Sequence, residues 1–348
     1  MRRILSAAET LVDEAGMPRL GVFDGEFARL NIEQSALRLS GIPLPRGIVR
    51  MRTKEWFHAG VILPRGYLGF AVINSKVLGL SFVSFIHRDG TGSFEHSLKG
   101  RPGLARVPGD MRSGEGGFAK EGYEIKIATG LDKCVHTVRI SAPARGGSPA
   151  VEADLRMLED PTKVQAMVAS LPVGSAMTMY THKCAVACEG SVKVDGAGQL
   201  GGEKAIAIID YHKALYPRHT FWKWATCAGW DAGGGIVGLN LTKNVVSDDW
   251  EYNENCLWEG GRMHLLGPAV FERDQADVML PWKVRTADGA ADLVFTPVGK
   301  KVENVRMVIA RSDFCQVYGT FRGTVRADDT THEIRDFFGT CEDHDAIW

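Results

Sequence analysis

Apolar and β-branched residues gather in short runs separated by polar and glycine-containing turns. "YLGFAVIN", "VLGLSFVSFIH", "YEIKIAT", "HTVRISA", "GSVKVDG", "EKAIAIID", "GGIVGLNLT", "ADLVFTP", "VRMVIA" and "GTFRGTVRA" all have β character. Their length and spacing predict an all-β sandwich or barrel. Helical spacing is rare. Ile4, Leu5, Ala8, Leu11 and Val12 fall on one helical face, which predicts a short amphipathic helix within residues 1–19. "DPTKVQAMVASL" offers Asp160 as a cap, Pro161 in a first turn and Val164, Met167, Val168 and Leu171 at helical spacing. The same stretch contains "MVASLPV", an equally good short strand, so helix and strand both stay open there.

The runs also repeat. "RTKEWFHA" (Arg52 to Ala59) lies over "RHTFWKWA" (Arg218 to Ala225), and the same offset carries Gly69 onto Gly235 and Asn74 onto Asn240. "FEHSLKGR" matches "NENCLWEGGR", bringing Glu95 onto Glu254. "GSVKVD" matches "GTVRAD", and "DYHKA" from Asp210 matches "EDHDA" from Glu342. Ordered blocks of this kind imply a duplicated β module with its boundary near Leu215, giving residues 20–214 and 215–348. Two modules side by side would leave a cleft suited to a ligand pocket.

Composition narrows the function classes. The 348 residues are enough for one large or two medium domains, and 45% are hydrophobic. With 41 basic against 42 acidic residues, no basic face is implied, so nucleic acid is a poor partner. No run reaches the length of a membrane span, so stable membrane insertion is not expected. Seven cysteines without a CxxC pair suggest neither a zinc site nor a disulfide framework, and fit reduced thiols in the cytoplasm. No metal and no cofactor is expected: "GWDAGGGIVGLN" is followed by an apolar β run rather than a helix, which fits a hairpin turn and not a phosphate loop.

Three constellations could carry chemistry. In "RHTFWKWATCAGW", strand alternation sets Arg218, Thr220, Trp222 and Trp224 on one face and His219, Phe221 and Lys223 on the other. The tryptophans pack a core or line a pocket, with Arg218 or His219 at its rim. In "NENCLWEGG", Glu254 lies between Asn253 and Asn255 and near Trp258. It is either a general acid or base oriented by amides, or part of a turn. The module ends place Asp210 near His212, and Glu342 near His344; such pairs tune a histidine or close a barrel by hydrogen bonding. His58 stands where the second copy has Trp224.

"RTKEWFHAG", "YTHK", "GSVKVDG", "DYHKALYPRHTFWKWA", "VGLNLT", "NENCLWEGG", "PWKVRTADGAADLVFTP", "SDFCQVYGTFRGTV" and "EDHDAIW" together resemble the bacterial domain-of-unknown-function family 2804, from about residue 20 to the end. In architecture the chain is more distantly similar to the AttH-like group that includes hydroxyneurosporene synthase, a carotenoid 1,2-hydratase. That resemblance implies two lipocalin-like β modules and includes cofactor-free hydratases, cyclases and pericyclases on long apolar molecules.

The expectation is therefore an all-β tandem of lipocalin-like modules and a cofactor-independent enzyme on a hydrophobic or aromatic small molecule. Addition, elimination or isomerisation is the expected chemistry. Glu254, His219 or Asp210 would move the proton, with a carboxylate pKa raised by burial. Trp222, Trp224, Trp258, Arg218, Asn240, Asn253, Asn255, His58, Glu342 and His344 would hold the ligand. A lipid or isoprenoid carrier and a carbohydrate-active protein are the alternatives.

Overall fold

The computed structural model describes residues 2–195, 198–199, 205–306 and 311–347. Parts of "VRMVIA", "GSVKVDG" and "EKAIAIID" lie outside them. The described residues are nearly all β, with one α-helix, Arg46–Arg52. Two compact units divide the chain. One comprises Ile4–His87 and Gly92–Tyr216; the other comprises Met1–Arg3, Arg88–Thr91 and Pro217–Trp348.

The first unit is a nearly closed, barrel-like sheet. Its strands run in the order Ser93–Gly100, Gly79–His87, Gly66–Asn74, Thr53–Leu63, Ala205–Leu215, Met177–Val194, Val151–Leu158, His136–Ala142, Tyr123–Ala128, Glu115–Lys120 and Ala105–Arg106. Asn74 Nδ2 donates to the Ala105 carbonyl at 2.8 Å, so the far end of this path curls back to its third strand. Alternation sorts the faces. Phe57, Ala59 and Val61 join Tyr180, Cys184, Val186, Ile209 and Tyr211 in the core. Trp56, His58, Lys183, Asp210 and His212 take the opposite face.

The second unit is a half-barrel. Its order is Arg262–Leu265, Cys256–Glu259, Ile236–Asn244, His219–Trp230, Thr330–Ile347, Arg311–Ala327, Ala291–Arg306, Trp282–Thr286 and Ala269–Glu272. The same hairpins and crossover follow one another as in the barrel, with Thr53–Leu63 in the place of His219–Trp230. Ala225, Cys227, Leu239, Leu241, Leu257, Phe295 and Phe321 form its core. Trp222, Trp224, Asn240 and Glu342 therefore lie on the other face.

The expected N-terminal helix does not form. Ile4–Leu5 is a short strand paired in parallel with Gly21–Phe23, and both its residues are exposed. Leu11 and Val12 are buried from an irregular segment that also inserts Phe23, Phe27, Ile32 and Leu37 into the barrel core. The open stretch after Asp160 resolves as a turn followed by the strand Met167–Gly174. Asp160 caps the turn through the Thr162 amide at 3.0 Å. "GWDAGGGIVGLN" is a hairpin closed by Asp231, whose Oδ1 accepts the Gly235 amide at 2.8 Å.

Candidate functional site

Each unit carries a matched cluster on the face turned away from its core. In the barrel, register sets Trp56 opposite His212, and His58 opposite Asp210. Asp210 in turn lies opposite Lys183. The Trp56 indole stacks on His212 with centroids 3.8 Å apart and planes 5° apart. Its Nε1–H donates to Asp210 Oδ2 at 3.2 Å. Lys183 Nζ lies 3.5 Å from Asp210 Oδ1. That Oδ1 is buried and takes part in no hydrogen bond among the described residues. His212 Nε2 is 2.8 Å from the Tyr216 hydroxyl.

In the half-barrel, Trp222 lies opposite His344 and Trp224 opposite Glu342, while Glu342 lies opposite Gln316. Trp222 Nε1–H donates to Glu342 Oε1, and Gln316 Nε2–H donates to Oε2 at 3.0 Å. The Trp222 and His344 rings meet edge to face at 4.1 Å. His344 Nε2 is 2.7 Å from Ser312 Oγ. Position by position, Trp56 corresponds to Trp222, His58 to Trp224, Asp210 to Glu342, His212 to His344 and Lys183 to Gln316.

Electrostatics separates the members. Burial pushes the Asp210 pKa up, but the Lys183 ammonium and the Trp56 hydrogen bond draw it down, and it settles below the ordinary value. The raised carboxylate expected from sequence is thus corrected: a cation on the neighbouring strand outweighs desolvation. Burial lowers His212 to about 3 despite Asp210. It lowers His344 to about 4 despite Asp345, Asp313 and Asp343. Both imidazoles are neutral near pH 7, and Asp210 is ionised. An ionised carboxylate can accept a proton or a hydrogen bond but has none to donate.

The other anticipated residues divide. Trp224 Nε1–H donates to Asn240 Oδ1 at 2.7 Å, and Asn240 Nδ2–H donates to the Glu254 carbonyl at 2.7 Å. Asn253 and Asn255 brace their loop: Asn253 Oδ1 accepts the Asn255 amide at 2.9 Å, and Asn255 Oδ1 accepts the Thr242 amide at 2.6 Å. Their amides are committed to backbone. Glu254 and Trp258 are buried in the half-barrel unit, whereas Asp210 and His58 belong to the barrel unit. Arg218 is exposed. The His219 side chain is 59% exposed and meets Asp345 Oδ2 at 2.7 Å, on the opposite face from Trp222. Strand alternation places it there, apart from the buried cluster.

Sequence reasoning missed a second buried cluster, inside the barrel. Tyr180 donates to Glu26 at 2.6 Å, and His182 Nδ1 donates to the same carboxylate. His182 Nε2 meets Glu159 Oε1 at 2.8 Å. His136 Nε2 meets Glu159 Oε2 at 3.0 Å, and the Gly130 amide donates to His136 Nδ1 at 3.0 Å. The amide fixes His136 as the neutral tautomer with its hydrogen on Nε2. His182 has a carboxylate on each nitrogen and is an imidazolium: burial works against its charge, but Glu159 and Glu26 raise it to about 10. Burial raises the Glu159 pKa, and His182 and His136 bring it well below the carboxylate range. The chain of groups ends on a backbone amide, so it ties segments together.

Two solved structures are similar in fold. CghA matches over 85% of this chain and 88% of its own, with 11% identity and a TM-score of 0.52. Kievitone hydratase from Nectria haematococca matches over 85% of this chain and 88% of its own, with 11% identity and a TM-score of 0.47. The likeness to CghA agrees with the expected lipocalin-like fold. No curated protein sequence matches the chain. One sequence family spans residues 2–348, and the chain accordingly belongs to DUF2804, a family described as a domain of unknown function.

Proposed function

We propose that the protein is a cofactor-independent enzyme that moves a proton on a hydrophobic or aromatic small molecule, in an addition, elimination or isomerisation of hydratase, lyase or isomerase type. Asp210 is the base. The observation that carries this reading is its Oδ1: a buried, ionised carboxylate oxygen, free of hydrogen bonds among the described residues, beside Trp56, His58, His212 and Lys183. A buried carboxylate oxygen that has an ion-pair partner but no hydrogen bond keeps the capacity to accept one from a ligand or water. The aromatic neighbours suit an apolar body, and Asp210, once protonated, would return the proton. Trp56 and His58, on the same strand face as Asp210, are proposed to hold the ligand.

The test is native mass spectrometry of the protein purified from the organism that makes it, with bound material extracted and identified. The expected result is a hydrophobic ligand or its product, converted by the wild type and not by Asp210→Asn. A ligand held unchanged by both proteins would overturn the enzyme and leave a carrier. Circular dichroism on each variant confirms that the fold is kept.

A further inference from the structure

Residues 38–52 of the barrel unit set apolar and basic side chains into solvent together. Arg38–Leu39 and Ile42–Pro43 form a two-stranded hairpin across Ser40 and Gly41, whose φ of +49° and +83° are those of a type I′ turn. Leu39 lies opposite Ile42, so the two side chains share one face of the ribbon. They are 63% and 68% exposed, the two most exposed large apolar side chains among the described residues. The base of the hairpin is fixed: the Leu44 amide donates to the Leu37 carbonyl at 2.8 Å, and both side chains pack into the barrel core. The helix Arg46–Arg52 follows, anchored by buried Val49. At about 100° per residue, Met51 points away from Val49 and Ile48 flanks it. Both are exposed.

The charge around these side chains has one sign. Arg38, Arg46, Arg50 and Arg52 lie in this stretch, and no Asp or Glu occurs between Glu33 and Glu55. Glu55 is committed to Lys76 and Lys213. Arg38 Nη1 donates to the Gly41 carbonyl at 2.8 Å, which holds its guanidinium at the hairpin turn. Arg38, Arg46 and Arg50 are exposed, and none of the four arginines pairs with a carboxylate among the described residues. The near balance of 41 basic and 42 acidic residues thus hides a local basic face. Exposed apolar side chains set among charges of one sign mark a docking surface. A second copy is a poor occupant, because two-fold pairing of this patch on itself sets arginine against arginine. An anionic bilayer surface suits both features: lipid phosphates pair with guanidinium groups, and apolar side chains enter the boundary beneath them.

We propose that residues 38–52 dock the protein on the surface of a bilayer that contains anionic lipid. Leu39, Ile42, Ile48 and Met51 enter the headgroup–acyl boundary, and Arg38, Arg46 and Arg50 meet lipid phosphates. Docking is not spanning: no helix among the described residues is long and apolar enough to cross a membrane. At most about 20 Å of chain separates Ile42 from Ile48, so the hairpin and the helix are close enough to meet one bilayer surface. The strand Thr53–Leu63 begins at the residue after the helix, and Trp56 lies about 10 Å along it. Docking therefore brings that strand to a phase in which apolar molecules concentrate. The inference holds whether or not Asp210 moves a proton.

The test is co-sedimentation of the full chain with vesicles of phosphatidylglycerol and phosphatidylcholine in equal parts, and with vesicles of phosphatidylcholine alone. The wild type is expected to bind the mixed vesicles about ten-fold or more tightly than the neutral ones, and to lose most of that preference in high salt. Arg46→Gln with Arg50→Gln should weaken binding to the mixed vesicles about twenty-five-fold, at roughly five-fold per arginine. Leu39→Ser with Ile42→Ser should weaken it about ten-fold or more. All four positions are exposed, so each double variant is expected to keep the fold, and if one fails to fold the other decides. A wild type that stays in solution beside the mixed vesicles overturns the proposal. So does binding that neither double variant weakens. Binding lost with the arginines but untouched by the serines overturns insertion and leaves electrostatic adsorption. A dimer in analytical ultracentrifugation that the serine variant dissociates, without vesicle binding, gives the patch to a second copy instead.

Discussion

His182 and Arg139 show how little the count of ion pairs says about stability. Arg139 pairs with Asp154 on the outside of the barrel, where both side chains are more than half exposed. Water screens such a pair, and it is worth at most about 1 kcal/mol. His182 is sealed between Glu26 and Glu159. Removing one carboxylate leaves a buried imidazolium half compensated. Glu159→Gln is therefore expected to destabilise the barrel by about 3–5 kcal/mol, against less than about 1 kcal/mol for Asp154→Asn. Urea unfolding of the two variants measures both. Similar midpoints for the two would mean that the buried chain of groups contributes nothing beyond its shape.

Two glycines make the comparable argument for strands. Gly190, on Met177–Val194, has φ +123°, and a Cβ there would sit 1.9 Å from the Asp154 carbonyl oxygen. Gly323, on Arg311–Ala327, has φ +143°, and a Cβ would sit 2.1 Å from the Asp292 carbonyl oxygen. The two occupy equivalent places, opposite Leu155 and Leu293. Alanine is strained at both and collides with the partner strand's backbone. Gly190→Ala and Gly323→Ala should each cost well over about 1 kcal/mol, seen as a lowered melting temperature. A neutral effect at either would show that the strand can shift to accept the methyl group. These glycines open the "GSVKVD" and "GTVRAD" blocks, so their match was visible in the sequence. So were Trp56 over Trp222, and Asp210 and His212 over Glu342 and His344, because alternation alone decides which side chains share a face. The role of Lys183 was not. "YTHK" sets Lys183 apart from His182, but it does not say which distant strand lies alongside. Glu26, His136 and Glu159 come from three separate segments, and no local spacing joins them to His182. The N-terminal helix failed for a related reason. A segment that short has little helical stability of its own. Pairing with Gly21–Phe23 and burial of Leu11 and Val12 claimed its residues instead.

At the scale of the whole molecule, buried histidines of opposite character set the pH range in which the chain is stable. His212 and His344 are neutral in the fold, at about 3 and about 4, and both should titrate near the ordinary 6.5 when unfolded. Their contribution is full above about 6.5 and is lost as pH falls, because the unfolded chain then binds protons that the folded one refuses. His182 is the reverse, at about 10 in the fold. Its contribution is full below about 6.5 and is lost as pH rises, because the folded chain holds a proton that the unfolded one has released. Burial lowers Lys54 to about 8, with Arg52 and Lys76 adding to the effect, so its opposing contribution enters only above that pH. Stability should therefore crest near pH 6.5 and decline on both sides, with the segment from about 6.5 to 8 reporting on His182. Each proton of difference changes stability by about 1.4 kcal/mol per pH unit. Urea midpoints taken across pH 5 to 8 test this. His182→Gln should lower stability at pH 6.5 and flatten the decline toward pH 8, while leaving the acid side sloping. A wild type that grows steadily more stable up to pH 8, or a variant that keeps the alkaline decline, would show that His182 is not an imidazolium in the folded protein.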